Sequence, residues 1–195
     1  MKQDLLSRRI VIGGLSCLLA IVTLCWAGFR FNTTDSEPVG VYWALNRPAK
    51  RGDMVFVSPP ASRFFTQAHE RGYLETGFTP AGTCHLIKTL AAIAGDRVTI
   101  TPKAVTVNGH ALPNSAPKAY DYAGRPMQPY LLNNYQLGAD EVLLVSDYNP
   151  LSYDSRYFGP VSRGCIDSVL VPLITWKLAI RNTITPERNV RLHEP

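Results

Sequence analysis

Ser36 and Lys88 carry the residue types of a nucleophile and a base, each in a distinctive local sequence. Ser36 stands in the turn-rich run Asn32-Thr33-Thr34-Asp35-Ser36-Glu37-Pro38-Val39-Gly40-Val41-Tyr42. Lys88 stands in the apolar run Leu86-Ile87-Lys88-Thr89-Leu90-Ala91-Ala92-Ile93-Ala94, which closes at Gly95-Asp96. A serine hydroxyl attacks a carbonyl only when a base takes its proton. Histidine is the usual base, but His69, His85, His110 and His193 stand in no recognisable triad motif. A lysine serves instead if its amine is neutral. Lowering its pKa from ~10.4 destabilises the ammonium by ~1.4 kcal/mol per pH unit. Burial among apolar groups such as Leu86, Ile87, Leu90 and Ile93 supplies that destabilisation, provided no carboxylate pairs with the amine. On composition alone, a turn serine and an edge-strand lysine with its amine in water account for the pair more readily.

A third segment shifts that balance. Leu151-Ser152-Tyr153-Asp154-Ser155-Arg156-Tyr157-Phe158-Gly159-Pro160-Val161 gathers two hydroxyls, a carboxylate and a guanidinium beside aromatic rings. Asp154 and Arg156 are two apart, so on a strand they share a face. A planar guanidinium grips a carboxylate through paired hydrogen bonds. The pair reads as a structural clamp at a tight turn that supports the site. Other signals carry less. Ser115-Ala116-Pro117-Lys118 spells a serine–lysine motif that needs a helix start, but Pro113 precedes it and Pro117 interrupts it, so it reads as loop. Asn32-Thr33-Thr34 fits a glycosylation acceptor, a pattern common by chance. Cys84-His85 has no partner pair at metal spacing, and no phosphate-binding glycine loop is present, so no metal or cofactor is expected.

The elements that must position these residues begin at the N-terminus. Residues 10–29 contain no charged side chain, and twenty residues at ~1.5 Å each cross a ~30 Å hydrocarbon layer. Lys2, Arg8 and Arg9 precede them, which keeps the N-terminus cytoplasmic and sends the rest outward. The expected division is a basic segment over 1–9, a transmembrane anchor over 10–29 and an exported domain over 30–195. A cleaved signal peptide, with Cys25 and Ala27 at its cleavage site, is the rival reading; the length of the run favours the anchor. Short β-rich runs follow at 41–45, 53–57, 84–94, 98–100, 104–107, 141–146 and 169–174, with a short helix around 63–70. Asn108-Gly109 is a hairpin turn. Residues 111–135 look like an excursion from the sheet. This spacing implies a mainly β fold, an antiparallel barrel or coiled sheet. The net charge of +5 contains no basic run, which argues against nucleic-acid binding and is compatible with an anionic lipid surface. Cys84 and Cys165 lie in the exported part, where a disulfide persists if they meet. The segment 176–195 reads as a partly basic tail.

In this order the three segments resemble the type I signal peptidase family, most closely its small conjugative-transfer branch of TraF type. The resemblance rests on the anchor, on Ser36 with Pro38-Val39-Gly40-Val41-Tyr42, on Lys88 with Gly95-Asp96, and on Asp154-Ser155-Arg156-Tyr157-Phe158-Gly159. It implies a signal-peptidase-like coiled β-domain behind one membrane helix, with its catalytic part in the periplasm of a bacterial inner membrane. It also implies cleavage of an exported precursor after a small residue, with Ser36 as nucleophile and Lys88 as general base. The oxyanion would be held by the Ser36 N–H and the Thr34 hydroxyl. Ser152 would orient the lysine. Asp154 and Arg156 would have supporting roles, because a carboxylate bonded to Lys88 would raise its pKa and oppose its work as base. The long second domain of the larger family members has only residues 101–140 in its place. This points to a dedicated processor, associated in that branch with a conjugative pilin and in some systems with its cyclisation. The implied partners are a pilin-like precursor, membrane lipid and the conjugative transfer apparatus. Two alternatives stand beside this reading. One is a non-catalytic anchored β-domain that assists envelope assembly. The other is an autoprotease of the repressor-cleaving type, which the membrane segment disfavours.

Overall fold

The structure is a computed structural model that describes residues 2–176, with side chains from residue 7 onward. Helix α1, Lys2–Ala27, contains a 21-residue, mostly apolar stretch from Ser7 to Ala27 whose side chains are exposed. That stretch is long and apolar enough to cross a membrane. It ends where Gly28, at φ +112°, reverses the chain. The Arg30 guanidinium turns back to donate to Cys25 O at 2.7 Å, placing a cation on the helix's last carbonyls. Strand β1, Phe29–Asn32, therefore follows the helix almost directly.

Beyond the anchor the chain is mainly antiparallel β. After β1 come β2 (Val39–Leu45), β3 (Met54–Val57), α2 (Arg63–Glu70), β4 (Leu86–Ala92), β5 (Arg97–Ile100), β6 (Val105–Val107), β7 (His110–Ala111), β8 (Leu132–Gln136), β9 (Glu141–Val145), α3 (Ser155–Phe158), β10 (Val161–Ser162) and β11 (Ile166–Trp176). The larger sheet runs β1-β2-β11-β3-β4-β9-β10 and the smaller runs β7-β6-β5-β8. The eleven-residue β11 pairs with β2 along one side and β3 along the other, bulging on each side. Those bulges let one strand serve two partners while the sheet coils.

Strand β4 is central, between β3 and β9, and is buried on both faces, which explains its nearly continuous apolar sequence. Its Leu86 and Leu90 enter the main core with Val55, Val57, Val142, Leu144 and Val169, closed over by Phe65 of α2 and Phe158 of α3. Ala92 joins a second core, in which Val98, Ile100, Val105 and Val107 of the small sheet pack against Leu143 and Val145 of β9. The small sheet takes up only the two ends of the expected excursion, through β7 and β8. What remains, residues 112–131, is a strap without strands or helices.

Four local expectations differ from the structure. The run assigned to the anchor through residue 29 gives up Phe29 to β1, because Gly28 breaks the helix. Strand β8 lies partly inside the expected excursion; its Leu132 pairs with Ile100 at the small sheet's edge. Asp154 and Arg156 meet across a helix start rather than along a strand, since Asp154 caps α3. Cys84 and Cys165 are free thiols, so the disulfide is not formed. The tail expected over 176–195 lies outside the described residues, apart from Trp176 at the end of β11.

Candidate active site

The serine turn joins β1 to β2, and Asn32 holds it from within. Asn32 Nδ2 donates to Glu37 O at 2.9 Å and Pro38 O at 3.1 Å, while its Oδ1 accepts from Thr34 N at 3.1 Å and Thr34 Oγ1 at 2.9 Å. The amide so replaces the turn bonds that the chain lacks once it leaves β1. The rest of the molecule grips the same turn. Asn149 Nδ2 donates to Asp35 O at 3.1 Å, Ser146 Oγ to Ser36 O at 2.5 Å, and the Tyr42 hydroxyl to Pro38 O. The carbonyls of Asp35, Ser36, Glu37 and Pro38 each accept a side-chain donor. Burial, and then the charge of Glu37, push the Tyr42 phenol up to about 12, so it stays a donor at physiological pH.

The hydroxyl of Ser36 bonds to Thr34 Oγ1 at 3.2 Å, not to Lys88. Asn32 Oδ1 only accepts, so the Thr34 proton points there and Thr34 receives the Ser36 proton. Thr34 is thus beside the Ser36 hydroxyl, with its own proton turned toward Asn32.

Lys88 projects from β4 between Leu86 and Leu90, on the face that meets the main core, and sits opposite Val55 of β3. It is 2% exposed and enters none of the ion pairs among the described residues. Burial lowers its pKa well below the ordinary lysine range. The carboxylates of Asp154 and Glu37 oppose that shift and the Arg156 guanidinium assists it.

The box beyond β9 forms the wall of the site. Asp154 Oδ1 accepts from Arg156 N at 3.1 Å and Arg156 Nε at 2.7 Å; its Oδ2 accepts from Arg156 Nη2 at 2.7 Å and Ser146 N at 3.0 Å. Arg156, fully buried, also donates to the carbonyls of Asn114, Pro150, Asn149 and Ser152. The guanidinium therefore finds acceptors all round, which is what a buried cation requires. Asp154 reaches Ser36 through Ser146, whose N–H it holds while the Ser146 hydroxyl holds Ser36 O. Ser152 is buried, but its hydroxyl has no hydrogen-bond partner, so the expected lysine-orienting bond is not made.

The strap of residues 112–131 hangs from this wall. Asn114 Nδ2 donates to Asp147 O at 2.8 Å, Lys118 N to the Tyr157 hydroxyl at 2.8 Å, and Tyr130 N to Arg156 O at 2.8 Å. Its middle is tied to the end of α2, where Asp121 accepts from the Tyr73 hydroxyl at 2.6 Å and from Arg125 Nε at 2.6 Å. Partial burial, then the charge of Asp35 in the serine turn, raise the pKa of the Tyr122 phenol on the strap.

Sequence reasoning singled out Ser36, Thr34, Lys88, Ser152, Asp154 and Arg156. The structure joins the Ser36 turn to the Asp154–Arg156 box through Ser146 and Asn149, with Lys88 buried on β4 and no direct bond between Ser36 and Lys88. It adds Asn32, Glu37, Ser146 and Asn149. Only Asn32 carried a local signal, as an Asn at a strand end four residues before the Ser36-Glu37-Pro38 turn. Among the described residues, no group of three or more His, Cys, Asp or Glu is placed to hold a metal ion.

The family described as "Signal peptidase, peptidase S26" matches residues 7–172. A plasmid transfer protein TraF of Escherichia coli is 44% identical over 171 residues, 88% of this chain and 97% of that protein. A probable conjugal transfer protein TraF of Sinorhizobium fredii is 37% identical over 184 residues, 89% and 96% of the two chains. The conjugal transfer protein TraF of Agrobacterium fabrum is 35% identical over 178 residues, 90% and 99% of the two. Among solved structures, a signal peptidase I of Enterococcus faecalis aligns with a TM-score of 0.38 at 19% identity, covering 64% of this chain and 98% of that one.

Proposed function

The chain belongs to the peptidase S26 signal peptidase family, and from that premise we propose that it is a membrane-anchored serine endopeptidase with Ser36 as nucleophile and Lys88 as general base. The observation that carries this reading is Lys88 itself: an amine 2% exposed, on a central strand, without an ion-pair partner. A structural lysine keeps its ammonium in water or on a carboxylate. An amine held in this way is neutral at far lower pH than usual and is able to take a proton.

In the reaction, the Ser36 hydroxyl turns from Thr34 toward Lys88, and the neutral amine takes its proton as Oγ attacks the scissile carbonyl. Thr34 exchanges its bond to Asn32 for one to the oxyanion, beside the Ser36 N–H. Lys88 returns the proton to the leaving amine, and the acyl group remains as an ester on Ser36. Water, or the acyl peptide's own N-terminal amine, then attacks the ester and releases the Ser36 hydroxyl; the second course closes a ring. Asp154 and Arg156 take no proton. They stiffen the wall from which Ser146 fixes the Ser36 carbonyl.

The names of the relatives support a precursor that serves conjugative transfer, and the branch resemblance specifies a pilin-like subunit cut after a small residue. Helix α1 supports anchoring in the inner membrane with the β-domain in the periplasm. The strands that follow it carry exposed apolar side chains, Phe31 on β1 and Ile174 and Trp176 on β11, which suit contact with lipid.

A serine-directed fluorophosphonate tests the dyad without a known substrate. The expected result is a single adduct at Ser36 by mass spectrometry, formed faster as pH rises and abolished in Lys88→Ala. Labelling elsewhere, or at equal rate in Lys88→Ala, would leave the non-catalytic assembly factor as the better reading.

A further inference from the structure

Glu37 follows the nucleophile directly and has no part in the mechanism above. It is 2% exposed, and its Oε1 has no hydrogen-bond partner. Its backbone is fixed by the Asn32 amide at 2.9 Å. An acidic residue in a solvated turn would point outward; this one is folded into the site. Ser146 lies near the carboxyl, but its one proton is committed to Ser36 O at 2.5 Å.

The charged groups around Glu37 come from each element that packs on the turn. Lys88 of β4 draws its proton off, while Asp147 after β9 and Asp154 before α3 oppose ionisation; Tyr42 of β2 senses its charge in turn. Burial dominates and holds the carboxyl up at about 7. Lys88 feels three carboxylates, of Asp154, Glu37 and Asp35. Asp154 is locked to Arg156 at 2.7 Å, and the guanidinium's opposite effect offsets it. Asp35 is exposed and screened by water. Glu37 is the remaining buried carboxyl without a cation bonded to it.

Building on the Ser36–Lys88 reading, we propose that Glu37 is a positioning residue that acts through Lys88. Its carboxyl is the buried counter-charge that decides whether the lysine amine holds or releases its proton. Thr89, next to Lys88, pairs with Val145 of β9, and the following Ser146 holds Ser36 O at 2.5 Å, which brings the Glu37 turn beside the amine. No ion pair joins the two, so the coupling acts through space across a water-poor site, where a unit charge carries further than in solvent. With Glu37 protonated, Lys88 gives up its proton readily; with Glu37 ionised, Lys88 keeps it. The turn that presents the nucleophile so also carries the control on its base.

The test uses the full chain in detergent micelles and follows Ser36 phosphonylation by a fluorophosphonate, with loss of fluoride, against pH. In Glu37→Gln the acidic limb of the rate profile is expected to move about one pH unit lower, and in Glu37→Asp to return toward its original position. An unmoved limb overturns the proposal, whether the rate is unchanged or falls uniformly at every pH. A second measurement needs neither a Glu37 variant nor activity. In chain labelled with carbon-13 at its glutamate carboxyls, Glu37 is titrated by NMR in wild type and in Lys88→Met. Loss of the lysine charge is expected to raise the Glu37 midpoint by about one pH unit. An unmoved midpoint overturns the proposal even if Ser36 labels as expected. A moved midpoint in a chain whose Ser36 fails to label leaves the coupling standing and removes only the peptidase reading.

Discussion

A buried amine and a buried carboxyl, both without ionic partners, are the unusual residues of this protein, and both have consequences for stability. Lys88→Met replaces an unpaired amine with an isosteric apolar chain. It is expected to leave the thermal midpoint unchanged or higher while abolishing Ser36 labelling; a large loss of stability would mean that the amine holds the fold together. Glu37 behaves oppositely to most carboxyls. Its folded pKa of about 7 lies above its ordinary 4.5, so its contribution is fully present below pH 4.5 and is lost as pH rises through 7. Glu37→Gln is expected to match wild type in acid and exceed it above neutrality, by ~1.4 kcal/mol for every pH unit that separates the folded from the unfolded carboxyl. Denaturant melts at pH 4 and pH 8 check the sign. Asp154→Asn strands a buried guanidinium and is expected to cost ~3–5 kcal/mol. At this scale Ser36, Lys88 and the Asp154–Arg156 clamp were legible, because each is announced by its own neighbours in the chain. Glu37 was not, since an acidic residue between Ser36 and Pro38 reads as a solvated turn until the fold closes over it. Ser146 and Asn149 were not either, because their contacts to the turn span more than a hundred residues.

Strand β2 and the strap are the elements on which the site's geometry depends. At Gly40 a Cβ would lie 2.2 Å from Ile174 O, inside the β2–β11 pairing. Gly40→Ala is expected to force these strands apart at a cost of roughly 3 kcal/mol or more, read as a fall in the urea midpoint. Gly159 sits at φ +75°, and a Cβ there would meet the Tyr130 ring at 2.8 Å. Gly159→Ala is expected to lift the strap off the wall, with faster hydrogen exchange at Tyr130 N while the β4 amides stay protected. Most strands were legible from β-branched runs bounded by Gly and Pro turns. Helix α2 was as well, at the residues expected. Helix α3 was misread because the two-residue spacing of Asp154 and Arg156 suits a strand face as well as a cap, and only its four-residue length separates the two. Strand β1 was hidden because Phe29 extends an apolar run that ends for a backbone reason, the positive φ of Gly28.

The molecule as a whole places its candidate hydrolytic site a short distance from an apolar helix long enough to span a membrane. Only β1 and the first residues of the turn separate Ala27 from Ser36, and Arg30 ties that strand to the helix end. On the proposed peptidase reading, a precursor held in the same bilayer would meet Ser36 close to the membrane surface. The chain is therefore expected to remain in the membrane pellet after carbonate extraction, with its β-domain accessible to protease only from the periplasmic side. The apolar helix was legible from hydropathy. The meeting of three distant segments was legible only through family resemblance, since nothing local encodes which strands become neighbours. The most direct measurement is precursor processing in membranes that carry wild type, Ser36→Ala or Lys88→Ala, each at matched abundance. Mature product from wild type alone, with precursor accumulating in both variants, is the expected result; normal processing by either variant would contradict the Ser36–Lys88 mechanism.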